Sequence, residues 1–234
     1  VESGVYFSGE HGGTHLDAPV HFQRGGQQLQ QIPLENTIAE GVMIDCSAEA
    51  AEDPSYLVPL QKLLEWENAH GQIPMQAAVL FNFGWSARFD SPAAYLGTEI
   101  DHHSNYVFPA LGAEAGIWLY ENRDIKIIGT DTLSPDPFAI KGVSVTSFPV
   151  HQKYLPNNRL IIENLKGTEQ LPPKGFRFHA SPVKYVGGTG TQVRAFAMTY
   201  DTSMNSGTPK CHRDLSCFIS ILFLSSAFIV RVVL

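Results

Sequence analysis

Residues 11–21 read HGGTHLDAPVH, placing three histidines and one aspartate within a single short stretch whose other residues are small, apolar or turn-forming. If residues 15–21 are extended, His15, Asp17 and His21 project from one face, because strand side chains alternate with a period of two. Gly12 and Gly13 let the chain fold back so that His11 joins them, since glycine tolerates backbone angles closed to other residues. Imidazole nitrogen combined with carboxylate oxygen suits zinc, manganese or iron better than calcium or magnesium. A closed structural site would want four side-chain ligands, commonly including cysteine, and no cysteine lies near this stretch. An open site would leave room for a water whose pKa zinc lowers from about 15.7 to about 7, so hydrolysis is the expected chemistry.

The rest of the chain must bury this cluster in a folded body. With 234 residues, 44% hydrophobic and 17% charged, there is enough apolar material for one domain with a substantial core. The net charge of −7 and the lack of any long Lys/Arg run argue against nucleic acid as a partner. Cys46, Cys211 and Cys217 have no CxxC spacing and indicate neither a disulfide framework nor a zinc ribbon. The chain opens on Val1 and reaches its richest motif by residue 11, so it reads as N-terminally incomplete, with any signal peptide out of view. Residues 217–234 (CFISILFLSSAFIVRVVL) are nearly all apolar and near the lower length limit for a membrane span. Small residues at Ser203, Ser206, Gly207 and Thr208 precede them in the order of a GPI-attachment signal, but Arg231 argues against that reading. A docked helix or a non-native end are the alternatives. Localisation is therefore open, and the expected division is a body over 1–201, a linker over 202–216 and an apolar tail over 217–234.

Strand-like runs occur at GVYFSG, THLDAPVHF and GVMIDCS within the first 48 residues. The spacing of Leu60, Leu63, Leu64 and Trp66 predicts a helix over 58–69 ended by Gly71. AAVLFNFGW (77–85) and IKIIGTDT (125–132) read as buried strands, with a helix over 109–122 between them. RLIIENL, FRFHASPVKY and QVRAFAMTY add three more strands. Strands alternating with helices predict a mixed α/β domain.

Other conspicuous residues carry weaker signals. His102 and His103 read as a solvated loop, His70 as a helix-end residue, and His179 and His212 lack nearby ligand partners. Asp131 ends a buried strand and reads as structural or as support for a ligand. The glycines at 187, 188 and 190 resemble a phosphate loop only superficially, because no Lys-Ser/Thr follows, and they read as a tight turn. No GxSxG elbow is present.

HGGTHLDAPVHF resembles the HxGTHxDxPxHF signature of the cyclase family of metal-dependent hydrolases, whose members include bacterial kynurenine formamidase and isatin hydrolase. IPLENTIAEGVMIDCS, AVLFNFGW, IGTDTLSPD, FPVHQKYLPNNRLIIENL and GGTGTQVRAFA resemble further family segments in family order, so the resemblance spans residues 7 to 200. It implies a swivelling β/β/α fold with a mixed sheet, zinc or alternatively manganese, one ion or two, and assembly as a homodimer or larger homo-oligomer. By position it implies His11, His15, Asp17, His151 and Glu163 as metal ligands and His21 as the proton-transferring residue. The implied reaction is hydrolysis of an amide-type C–N bond in a small molecule, with N-formyl-L-kynurenine as the leading substrate. Phe22, Phe83 and Trp85 are candidates to stack on an aromatic substrate. Isatin or a related lactam is the alternative substrate, and a non-catalytic binding protein is the alternative class; the presence of all six positions favours the enzyme.

Overall fold

Uninterrupted apolar strands are stable in a sheet only when both of its faces are covered. The runs AVLFN, IIGT and LIIE are buried along their whole length, and they form the parallel centre of the molecule. The computed structural model describes residues 2–140, 142–201 and 229–233. In chain order the elements are β1 (His15–Asp17), β2 (Ile38–Asp45), α1 (Ser47–Glu52), β3 (Leu57–Val58), α2 (Leu60–His70), β4 (Ala78–Asn82), α3 (Pro92–Leu96), β5 (Ala110–Leu111) and α4 (Ala113–Arg123). They continue with β6 (Ile127–Thr130), β7 (Ala139–Ile140), β8 (Val143–Ser144), α5 (Pro149–Tyr154), β9 (Leu160–Glu163), β10 (Lys174–His179), β11 (Gly190–Gln192), β12 (Phe196–Asp201) and β13 (Ile229–Val233).

The main sheet has the order β11-β1-β9-β6-β4-β2-β10-β12-β13. β2, β4, β6 and β9 run parallel, and the strands outside them pair antiparallel. The architecture is the mixed α/β type, with a large curled sheet. On one face Val42, Ile44, Val79, Phe81, Ile128 and Ile161 pack against the helices through Leu63, Trp66, Leu119, Val150 and Tyr154. On the other face Leu16, Leu80, Ile127, Ile162, Phe176 and Phe178 form a second core. β10 pairs directly with β2, with Phe176 opposite Gly41. A Cβ on Gly41 would lie 1.9 Å from the Phe176 ring, so only glycine fits there.

Several local expectations meet a different outcome. Residues 15–21 are not extended throughout: Pro19 has no N–H to give the ladder, and Pro19–His21 form a 3₁₀ turn with the His21 N–H donating to the Ala18 carbonyl. The alternation argument therefore holds for His15 and Asp17 and fails for His21. GVYFSG is not a strand, and Val5, Tyr6 and Phe7 are exposed. The helix expected from 109 starts at Ala113, because Ala110–Leu111 pair with Leu57–Val58. Helix α5 carries no clear periodicity because it has only 6 residues. The expected linker, and the apolar tail up to residue 228, lie outside the described residues; 229–233 pair antiparallel with β12. Among the described residues no helix is long and apolar enough to cross a membrane.

Asp131 settles into a structural role. Fully buried after β6, its carboxylate accepts backbone N–H bonds from Phe83 (2.9 Å), Trp85 (2.7 Å) and Ser86 (3.4 Å), pinning the loop that leaves β4. Gly84 takes a φ of 66° within this loop, a left-handed turn suited to glycine. Asp131→Ala would orphan these donors and should lower stability by about 3 kcal/mol, since hydrogen bonds to charged groups contribute about 1.5–3 kcal/mol each. Urea denaturation measures this, and a loss under about 1 kcal/mol would contradict the pinning role.

Candidate metal centre

The candidate site lies on the helix-bearing face of the sheet, where β1 and β9 pair antiparallel with His15 opposite Glu163. Leu16 and Ile162 point into the second core, so His15, Asp17 and Glu163 point the other way. Helix α5 packs over this face and brings His151. The Asp136 carboxylate holds the start of that helix by accepting the Val150 and His151 backbone N–H groups, both at 3.0 Å.

Hydrogen-bond partners assign the ring protons. His15 Nδ1 lies 2.8 Å from the Gly13 carbonyl oxygen, which can only accept, so Nδ1 carries the proton. His151 Nδ1 lies 2.8 Å from Asp136 Oδ2 and is assigned in the same way. Both Nε2 atoms then face the carboxylates. His15 Nε2 is 3.3 Å from Asp17 Oδ1 and 3.2 Å from Glu163 Oε2. His151 Nε2 is 3.5 Å from Asp17 Oδ2 and 3.3 Å from Glu163 Oε1. His11 Nδ1 closes the group at 2.6 Å from Asp17 Oδ1.

His15 Nε2, Asp17 Oδ2 and Glu163 Oε1 are buried, and none of them has a hydrogen-bond partner among the described residues. Buried polar atoms are rarely left so, because desolvation without compensation is unfavourable. All three converge on the same small volume. His11, His15 and Asp17 form one group whose ligand atoms lie within 4.8 Å of one another, and Asp17, His151 and Glu163 form a second. Asp17 belongs to both. The donor set of imidazole nitrogens and carboxylate oxygens fits a divalent transition metal such as zinc.

Electrostatics agree with that fit. Burial disfavours a charged His15 ring, but Asp17 and Glu163 outweigh it and push the ring up to about 10. Burial likewise opposes charge on His151, and Asp136, Asp17 and Glu163 drive it well above the usual range. Asp17 is held well below the usual carboxylate range, its burial overcome by the neighbouring His11, His15 and His151 rings. The cluster thus draws positive charge inward.

His21 is brought to the same place by the 3₁₀ turn, with its ring stacked on His11 at 4.0 Å and 6.3 Å from that of His151. His21 is exposed, yet its partial desolvation by these neighbours lowers its pKa, with Asp17 opposing. A neutral imidazole at the rim of the cluster can accept a proton. Phe22 lies 4.5 Å from His151, ring to ring. Phe83 and Trp85, by contrast, are buried in the helix-side core, and the Trp85 indole N–H donates to the Tyr95 carbonyl, so neither forms a substrate-stacking wall. His102 and His103 are exposed and stack on each other, His70 ends α2 against Trp66, and His179 stacks on Phe196. His212 lies outside the described residues.

Sequence reasoning missed three residues here. Asp136 sits between prolines in SPDP, and its signal was only that of a turn. Phe148, 6.0 Å from the Phe22 ring and 6.1 Å from His151, precedes Pro149 in a segment too short to show periodicity. Thr189 lies in a glycine turn and bonds His11 Nε2 at 2.9 Å.

The sequence model of the family described as "Putative cyclase" matches residues 5–137. An isatin hydrolase from Roseibium aggregatum is 31% identical over 199 residues, covering 81% of this chain and 72% of that protein. A kynurenine formamidase from Salinibacter ruber is 30% identical over 190 residues, covering 79% and 74%. Among solved structures, isatin hydrolase A from Ralstonia solanacearum superposes with a TM-score of 0.72 at 34% identity, over 81% of this chain and 72% of that one. A family match across more than half of the chain, joined to these relatives, leaves one assignment: the chain belongs to the cyclase family.

Proposed function

We propose that this chain is a metal-dependent amidohydrolase that cleaves an aryl-amide C–N bond, with N-formyl-L-kynurenine as the leading substrate and L-kynurenine and formate as products. The observation that carries the reading is the convergence of the unpartnered buried atoms His15 Nε2, Asp17 Oδ2 and Glu163 Oε1 with His151 Nε2. His11, His15 and Asp17 would hold one ion, and Asp17, His151 and Glu163 a second; zinc suits the donors and manganese is the alternative. A bound ion there supplies Lewis-acid polarisation of the scissile carbonyl and lowers the pKa of water.

The chain's own residues do the rest. His21, neutral at pH 7 through its lowered pKa, takes the proton of the attacking water and returns it to the aniline nitrogen as the C–N bond breaks. Phe22 and Phe148 stand beside His151 and offer apolar faces to the aryl ring of the substrate. Isatin is the second candidate substrate, supported by the 31% and 34% identities to isatin hydrolases; its lactam is also an aryl amide.

Chelation should abolish turnover of N-formylkynurenine or isatin, and Zn²⁺ or Mn²⁺ should restore it; a panel including simple lactams ranks the substrates. Full activity in protein shown metal-free by elemental analysis would sink the proposal. Two histidines should separate. His21→Ala is expected to retain metal and lose about 10²–10⁴-fold in kcat, whereas His15→Ala loses metal as well. Equal metal loss in both would make His21 a ligand.

Metal binding should also release protons. With His15 pushed up to about 10 and His151 well above its usual range, both rings are protonated at pH 7 without metal, and coordination requires them neutral. Affinity therefore rises with pH through the neutral range. Calorimetry in buffers of different ionisation enthalpy should report about two protons released when both rings coordinate, and no release would show that the two rings are already neutral before metal binds.

A further inference from the structure

The glycine turn at 187–190, which carries no phosphate-loop chemistry, lies directly against His11. Thr189 Oγ1 donates its one proton to Glu10 Oε2 at 2.5 Å, and the Thr189 backbone N–H donates to the same carboxylate oxygen at 3.0 Å. With its proton committed to a carboxylate, the Thr189 hydroxyl can only accept from His11 Nε2, which lies 2.9 Å away. His11 therefore carries a proton on Nε2. Nδ1 is the ring nitrogen turned toward the cluster, 2.6 Å from Asp17 Oδ1.

Three further contacts seat the ring. A Cβ on Gly190 would lie 2.5 Å from His11 Cε1 and 2.9 Å from Nδ1, so the ring packs flat where only glycine leaves room. The Gln192 side-chain amide donates to the Gly9 carbonyl at 2.7 Å and the Gly12 carbonyl at 3.1 Å, clamping the loop on both sides of His11. The Ala18 backbone N–H donates to the Thr189 carbonyl at 2.9 Å, tying the turn to the end of β1.

We infer that residues 189–192, together with Glu10, form a positioning cradle that makes His11 present Nδ1 to the metal cluster, whereas His15 and His151 present Nε2. Thr189 and Glu10 act through His11 and are positioning residues. The consequence is geometric. Nδ1 coordination brings the metal closer to the backbone of the presenting residue than Nε2 coordination does, which matches a ligand held on a tight glycine loop rather than a strand. The inference rests on the metal reading above for its effect on affinity, but the contact of His11 Nε2 with Thr189 is a property of the cradle alone.

The test uses ¹⁵N-histidine-labelled protein. In the metal-free protein the His11 Nε2–H should exchange slowly, held by Thr189, and fast exchange overturns the cradle whether or not metal binds. In the zinc-loaded protein one ring should show Nδ1 coordination and vanish in His11→Ala. Thr189→Val should weaken zinc binding about 10–100-fold, the usual effect of losing a partner of a ligating histidine, and should lose the Nδ1 signature. Thr189→Ser should keep both. Wild-type affinity and signature in Thr189→Val, or equal loss in Thr189→Val and Thr189→Ser at unchanged melting temperature, would overturn the role of the hydroxyl. A wild-type protein with a protected His11 Nε2–H that binds no zinc would instead refute the metal reading and leave the cradle standing.

Discussion

Antiparallel pairing between β1 and β9 sets His15 directly across from Glu163, and the position of every other group in the cluster is defined relative to that pair. The register is held by apolar side chains on the opposite face. Leu16 and Ile162, themselves register partners, are fully buried in the second core, as is Leu160 nearby. A slip of one residue would turn Leu16 toward the helices and drive His15 and Asp17 into an apolar core, where an uncompensated charge is very unfavourable. The polar site is thus kept in place by the hydrophobic packing behind it.

That arrangement concentrates acid groups away from bulk solvent. Asp17, Asp136 and Glu163 are all buried, and among the described residues their ionic partners are histidines, not lysine or arginine. Elsewhere the chain does use such cations: Glu67 pairs with Arg123 and Glu49 with Lys62. A fixed lysine in the cluster would satisfy the carboxylates permanently and block a metal. Histidine can be protonated or can give up its proton, and so it tolerates both states of the site. The raised pKa values of His15 and His151 are the expression of this, since the carboxylates recruit protons when no other cation is available.

How far the site could be read from sequence follows from the kind of constraint acting on each residue. His15 and Asp17 obey strand alternation, a local rule, and their shared face was legible from spacing alone. The central strands were legible for the same reason, since AVLFN and LIIE are apolar without interruption. His21 escaped the rule because Pro19 ends the strand one step after Ala18, and a 3₁₀ turn then returns the ring to the cluster by another route. His151 and Glu163 carried little signal of their own and entered only through the resemblance of FPVHQKYLPNNRLIIENL to a family segment. Phe83 and Trp85 misled because an aromatic beside a strand has the same local pattern whether it lines a pocket or fills a core. Asp136 and Thr189 act across separations of 15 and 178 residues, and no local pattern encodes such contacts.

The stiffness of the supporting element differs among these residues, and so does the support each receives. His15, Asp17 and Glu163 stand on paired strands whose backbone is held on both sides, and a single backbone acceptor, the Gly13 carbonyl, suffices to orient the His15 ring. His151 stands on a short helix that could not hold itself in water, and a buried carboxylate grips both its backbone and its ring. His11 stands on a loop with glycines on both sides, the least constrained backbone of the set, and it is met by a threonine, a glutamate, a glutamine clamp and a glycine platform. Support grows as the intrinsic order of the element falls. Phe22 and Phe148, which flank His151, have no comparable scaffold and are only half-buried, so the wall beside the cluster can vary while the ligand geometry stays fixed. A fold built in this way sets its most rigid polar groups on strands and leaves the wall beside them to loops.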